Sequence, residues 1–178
     1  AGSDEIPTKA IPLLLKAARN PKAGPMVLAQ TIQCLSRINQ PEALRASVTA
    51  LAALEKTRSE NKAQEVGRRA FLENPKLDNH HATLETIASE SPESDAGQWA
   101  HAGLLELASR KNSGPEARAH ADQAIDLAWQ NPARRVVLME IAAELRNHHL
   151  DDRIRAAMND FDPAVAKAAQ NAAKRLKI

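Results

Sequence analysis

The side chains best suited to chemistry in this chain are its 6 histidines, His80, His81, His101, His120, His148 and His149. The densest group of potential metal ligands is His148-His149-Leu150-Asp151-Asp152, two imidazoles and two carboxylates in one short stretch. Asp78-Asn79-His80-His81 is a second group of the same kind. A helix turns by about 100° per residue, so adjacent histidines diverge, whereas metalloprotease pairs sit four apart with a glutamate between them. The same residues also suit a hydrated loop in which Asp151 or Asp152 caps the free amides of the next helix. The pattern is read as holding no metal, with His148, His149, Asp151 and Asp152 as the candidates should one bind.

Other chemistry finds less support. Cys34 is the single cysteine, which excludes an intrachain disulfide and any Cys-x-x-Cys motif, and it lies beside an apolar helical stripe that suits a buried thiol better than a nucleophile. The chain has no Ser-His-Asp elbow, no phosphate-cradling glycine loop and no carboxylate pair in a catalytic motif, so no enzyme activity and no cofactor are expected within these residues. Trp99 and Trp129 read as core anchors, or as contact residues where exposed. The basic pairs Arg68-Arg69 and Arg134-Arg135 raise the possibility of phosphate contacts. Against this, the 24 basic and 22 acidic residues leave a net charge of only +2, and aromatic content is 2% with no tyrosine. Long-range steering of a polyanion and base stacking are both poorly served, so nucleic acid is not the expected partner.

These residues must be positioned by helices, because the apolar pattern repeats at three and four residues and no strand-like alternation or Asn-Gly hairpin signal occurs. In residues 115–130, Ala117, Ala121, Ala124, Ile125 and Ala128 share a face, and in the next helix Leu138, Ile141, Ala142 and Leu145 do, with Asn131-Pro132 between. Earlier helices are predicted near residues 11–18, 25–38, 41–56 and 59–73, then a weaker one around Leu84, Ile87 and Ala88, and another over 96–109. Pro12 either opens the first helix or kinks it. Gly114-Pro115 reads as the end of one helix and the start of the next. The last two helices are expected at 150–158 and from Pro163 onward, the latter capped by Asp162 and ending among Lys174, Arg175 and Lys177.

A helix whose stripe is mostly alanine can be buried only by close approach of its neighbours, so the predicted fold is all-α: an α-solenoid of stacked antiparallel helical hairpins, about nine or ten helices in all. Prolines at 41, 75 and 115 read as restarts that each open a helical hairpin, and they recur at intervals of 34 and 40 residues, within the range of HEAT, armadillo and tetratricopeptide arrays. Residues 1–178 are expected to form a single helical-repeat domain cut from a longer multidomain chain, with residues 1–5 disordered. No stretch approaches the roughly 20 apolar residues of a membrane span.

Asp162-Pro163-Ala164-Val165-Ala166-Lys167-Ala168-Ala169 resembles the start of the second helix of a HEAT repeat, and Asn131-Pro132-Ala133-Arg134-Arg135-Val136 resembles a looser copy. The tail through Asn171-Ala172-Ala173-Lys174-Arg175-Leu176-Lys177 is similar to the helical-repeat region of large exported bacterial proteins that join a dehydrogenase-like β-propeller to a C-terminal cytochrome c domain. That resemblance implies a periplasmic spacer between redox domains, with haem and catalysis in neighbouring domains, because this chain has neither a Cys-x-x-Cys-His motif nor propeller sequence. A cytoplasmic location is the alternative. Ala63, Gly67, Ala70 and Pro75 fit the tetratricopeptide second helix, but the first-helix Trp, Gly and Tyr positions would fall on Ser47, Leu51 and Leu54, so the HEAT-like reading stands first.

The expected function is a non-catalytic protein-interaction or interdomain scaffold. Its partner is a protein or an adjacent domain of the same polypeptide, contacted through Arg134, Arg135, Trp99 and Trp129. The alternative is a HEAT-like DNA-binding protein using a basic concave face.

Overall fold

The computed structural model describes residues 6, 8–57 and 61–178, and within these the chain is all helical. The elements are α1 (Ile11–Ala18), α2 (Pro25–Leu35), α3 (Pro41–Glu55), α4 (Asn61–Leu72), α5 (His81–Glu90), α6 (Asp95–Ser109), α7 (Pro115–Trp129), α8 (Pro132–Leu145), α9 (Asp151–Ala157) and α10 (Pro163–Leu176). Short 3-10 turns at Thr8–Ala10, Leu77–His80 and His148–Leu150 precede α1, α5 and α9. The expectation of disorder at 1–5 and of a helix starting at Ser59 both fall outside the described residues.

Proline sets most of the helix starts. Pro25, Pro41, Pro115, Pro132 and Pro163 each occupy the first helical position, where the missing N–H would have had no intrahelical acceptor anyway. Pro12 lies in the first turn of α1 and opens that helix; it does not kink it. Two of these proline starts are also capped by side chains. Asn131 Oδ1 accepts from the amides of Ala133 (3.0 Å) and Arg134 (3.3 Å), and Asp162 Oδ1 from those of Ala164 (2.8 Å) and Val165 (3.4 Å).

Three local expectations are corrected. Gly114 does not end α6; it is the extended N-cap of α7, while the left-handed caps that end α8 and α10 are Arg146 and Lys177. Pro75 opens no helix, because Asn74 is buried and its Oδ1 takes the amide of Lys76 at 2.8 Å, making a turn that leads to the 3-10 segment. The end of α2 comes at Leu35 and not at Ile38, since Arg37 and Ile38 bond to the carbonyls of Cys34 and Leu35 and so tighten the last turn.

The chain packs as two compact units, residues 1–83 and 84–178. In the first, α2 packs on α1, α3 and α4, and α1 also packs on α3. Gly67 allows the closest approach there: a Cβ on it would lie 2.6 Å from Leu54 Cδ2 and 3.2 Å from Ile32 Cδ1, so α4 sits hard against α3 and α2. Phe71, Ile32, Leu51 and Leu54 fill the space around that crossing, each at most 1% exposed.

In the second unit α6 packs on α7 and α8, α8 on α10, and α10 on α9. Alternate helices α6, α8 and α10 therefore form one row, with α7 and α9 against it. This is the packing of helical hairpin repeats, in which alternate helices stack in a row. The Val165, Ala168, Ala169, Ala172, Ala173 and Leu176 face of α10 is wholly buried, as its three-four spacing requires.

Candidate functional site

The densest predicted ligand group does not converge. His148 Nδ1 donates to Asp151 Oδ2 at 2.9 Å, one turn along its own segment, whereas His149 Nε2 reaches Asp122 on α7 at 2.7 Å. Asp152 instead accepts from Arg155 Nη1 at 2.7 Å. Among the described residues no group of three or more His, Cys, Asp or Glu side chains is placed to hold one metal ion. Neither Asp151 nor Asp152 caps α9. The cap in this segment is Asn147, whose Oδ1 takes the amide of His149 at 3.0 Å while its Nδ2 donates to Ser109 Oγ at 2.9 Å, tying the turn to α6.

Two other histidines are core residues. His101 is 2% exposed, its Nδ1–H donating to the Gly97 carbonyl at 2.8 Å. Burial lowers its pKa, and the charge of Arg134 adds to that effect. His80 is equally buried and its Nε2 has no hydrogen-bond partner. Burial again depresses its pKa, against the opposing hydrogen bond to the Ile38 backbone and with small contributions from His81 and Lys76. Both rings are thus held neutral, as filling of the core requires. Cys34 is a free, half-buried thiol on α2.

The arginine pairs are mostly neutralised within their own units. Arg68 pairs with Glu55 and Arg69 with Glu73, the latter an exposed i,i+4 bridge at 3.0 Å. Three of the four arginines, counting Arg135, meet carboxylates, which removes charge that a phosphate backbone would need. Trp99 on α6 and Trp129 on α7 are both half-buried. The Arg153 guanidinium lies 5.7 Å from the centroid of the Trp129 ring and also pairs with Asp126, so the indole face is covered from within the unit.

A different residue is presented to solvent. Phe161, in the turn between α9 and α10, is fully exposed at 105% of its reference area, while the other phenylalanine, Phe71, is 1% exposed. The turn that carries it is held at several points. Arg135 Nη1 binds Asp160 Oδ2 at 2.6 Å, the Asp162 amide donates to Asp160 Oδ1 at 3.0 Å, and Asp162 caps α10. Gln170 Nε2 fixes the other side by donating to the Met158 carbonyl at 3.2 Å. An aromatic ring projects from a backbone that has little freedom left to lose.

No protein-family model, curated protein or solved structure matches the chain.

The candidate site therefore rests on geometry, and sequence reasoning passed over its central residue. Phe161 belongs to no helical stripe, which is what hid it in a search for periodicity. The available signal was its setting: one of 2 phenylalanines, placed in Asp160-Phe161-Asp162-Pro163, where every neighbour favours a turn. Arg135, a contact residue by sequence, lies one step behind the surface in the structure, where its side chain pins the turn.

Proposed function

We propose that the chain is a non-catalytic scaffold module that holds a protein, or a neighbouring domain of its own polypeptide, with Phe161 as an anchor. The observation that carries this reading is the full exposure of Phe161 on a turn held by hydrogen bonds on both sides. Leaving a phenylalanine in water forfeits roughly 1.5–3 kcal/mol of burial, and a pre-set loop lowers the ordering cost of docking. Aromatic residues seated in a partner's pocket are typical interface hot spots. The setting between redox domains of an exported haem-containing oxidoreductase follows from the resemblance of residues 162–177 and is part of the same proposal.

The test is incorporation of a photo-reactive phenylalanine analogue at position 161 in cells, with Lys167 on α10 as the control position. The expected result is one discrete protein adduct, or one discrete intramolecular crosslink in a longer polypeptide, from 161 alone. No adduct, or the same diffuse pattern from both positions, overturns the reading. The redox setting has its own test, a Cys-x-x-Cys-His motif in the same reading frame, and its absence would remove that setting while leaving the binding role intact.

A further inference from the structure

We propose that the outer face of α1 docks an acidic amphipathic helix of a protein partner. The inference rests on the binding-module reading and names the chemistry of one partner, at a surface in the first unit that does not include Phe161. α1 reads Ile11-Pro12-Leu13-Leu14-Leu15-Lys16-Ala17-Ala18, yet Ala18 is the only residue of it that is buried. Leu13 is 69% exposed, Ile11, Leu14 and Leu15 are half-buried, and on the adjoining α2 Val27 is 51% exposed. α10 is finished differently: its larger apolar residues, Val165 and Leu176, are buried with Ala168, Ala169, Ala172 and Ala173, and Lys167, Gln170, Asn171 and Lys174 face water. A helix face left in water is ordinarily polar, whereas α1 turns Leu13 outward beside Lys16.

Charge identifies the occupant. Residues 6–41 carry Lys9, Lys16, Arg19, Lys22 and Arg37 and no Asp or Glu, in a chain with 22 acidic residues. Lys9, Lys16, Arg19 and Lys22 are exposed, and none has an ion-pair partner among the described residues. Pro12, Leu15, Lys16, Arg19 and Asn20 line a groove that combines apolar and cationic walls. A helix with leucines on one face and carboxylates at its flanks meets both. A second copy of this chain would bring the same cations face to face, which opposes a symmetric contact. A lipid surface is disfavoured because interfacial helices sink a continuous apolar face about 5–10 Å deep, whereas Ile11, Leu14 and Leu15 are half covered by their own unit.

The test uses fluorescence anisotropy with a labelled synthetic helix about four turns long, leucine on one face and glutamate elsewhere. A counterpart with lysine replacing glutamate, and phosphatidylcholine vesicles containing about a third phosphatidylserine, are the comparison probes. The acidic peptide should bind with a micromolar Kd that weakens at least about tenfold for the lysine peptide, for the Lys16→Glu/Arg19→Glu double variant and for Leu13→Ser. All three substituted side chains are exposed, so unchanged circular dichroism is the folding control. The proposal is overturned if the acidic peptide fails to bind, if the charge reversal leaves its binding intact, or if vesicles sediment the protein while the peptide is ignored. Phe161→Ala should not alter peptide binding, so loss of peptide binding with an intact crosslink at 161 defeats this inference alone, and the converse defeats the Phe161 reading alone.

Discussion

Arg135 on α8 holds Asp160 at 2.6 Å across 25 residues of sequence, and Asp160 in turn accepts the amide of Asp162. Each side chain of the pair is about one-fifth exposed (21%/21%), so the bond is shielded but not dry. Removing Arg135 leaves a part-buried carboxylate without its cation. Arg135→Ala is therefore expected to destabilise the protein by about 1–3 kcal/mol, below the roughly 3–5 kcal/mol seen for fully buried pairs. Arg135→Ala/Asp160→Asn should cost less than the sum of its parts. Urea denaturation of the double-mutant cycle measures this, and additive effects would show that the pair does not stabilise the turn.

The two phenylalanines should respond in opposite ways. Phe71→Ala removes a side chain that is 1% exposed and should cost about 3–5 kcal/mol. Phe161→Ala, at full exposure, should change stability by no more than about 0.5 kcal/mol. Thermal denaturation separates them, and a large loss from Phe161→Ala would mean that the ring is packed, not presented.

Gly97 and Gly67 invert the usual helix preference, in which alanine is better than glycine by about 1 kcal/mol. A Cβ on Gly97 would lie 2.0 Å from the Ser91 carbonyl oxygen, which already accepts from the Ser94 amide at 3.1 Å and the Ser94 hydroxyl at 2.7 Å. Backbone cannot swing aside as a side chain can, so Gly97→Ala should destabilise by about 3 kcal/mol or more. Gly67→Ala meets first the Cδ2 of Leu54, a side-chain end in a filled core, and should cost about 1–3 kcal/mol. Urea midpoints that rank the two variants the other way would contradict this packing.

Stability should fall on mild acidification. Burial lowers the pKa of His80 and of His101 in the folded protein, so below the unfolded value of about 6.5 the unfolded chain binds more protons. The contribution of both rings is complete above that pH and is lost as pH falls through the window beneath it. Urea midpoints measured from pH 7.5 to 5 should decrease, and His101→Gln should flatten the slope. An unchanged slope in that variant would place the acid sensitivity elsewhere.

Much of the helical framework was legible in local signals. Proline at the first helical position, Asn131 and Asp162 as caps, and alanine-leucine stripes at three-four spacing act within a few residues, so they survive reading along the chain. The misreadings were also local. Residue type alone is ambiguous at Gly114 and Pro75: a glycine can begin a helix as well as end one, and the Asn74 side chain turns the chain at Pro75 before a helix can start.

Composition and periodicity alone determined that this protein is all helical and that its small-residue faces must pack closely, because both follow from the shape of a single helix. Only the tertiary structure decided which partners the polar residues took. His149 turned to Asp122, Arg135 to Asp160 and Arg153 to Trp129, each a pairing more than twenty residues apart that no spacing rule contains. The same holds for the two phenylalanines: one residue type became core at 71 and surface at 161, since burial depends on what the rest of the chain brings alongside.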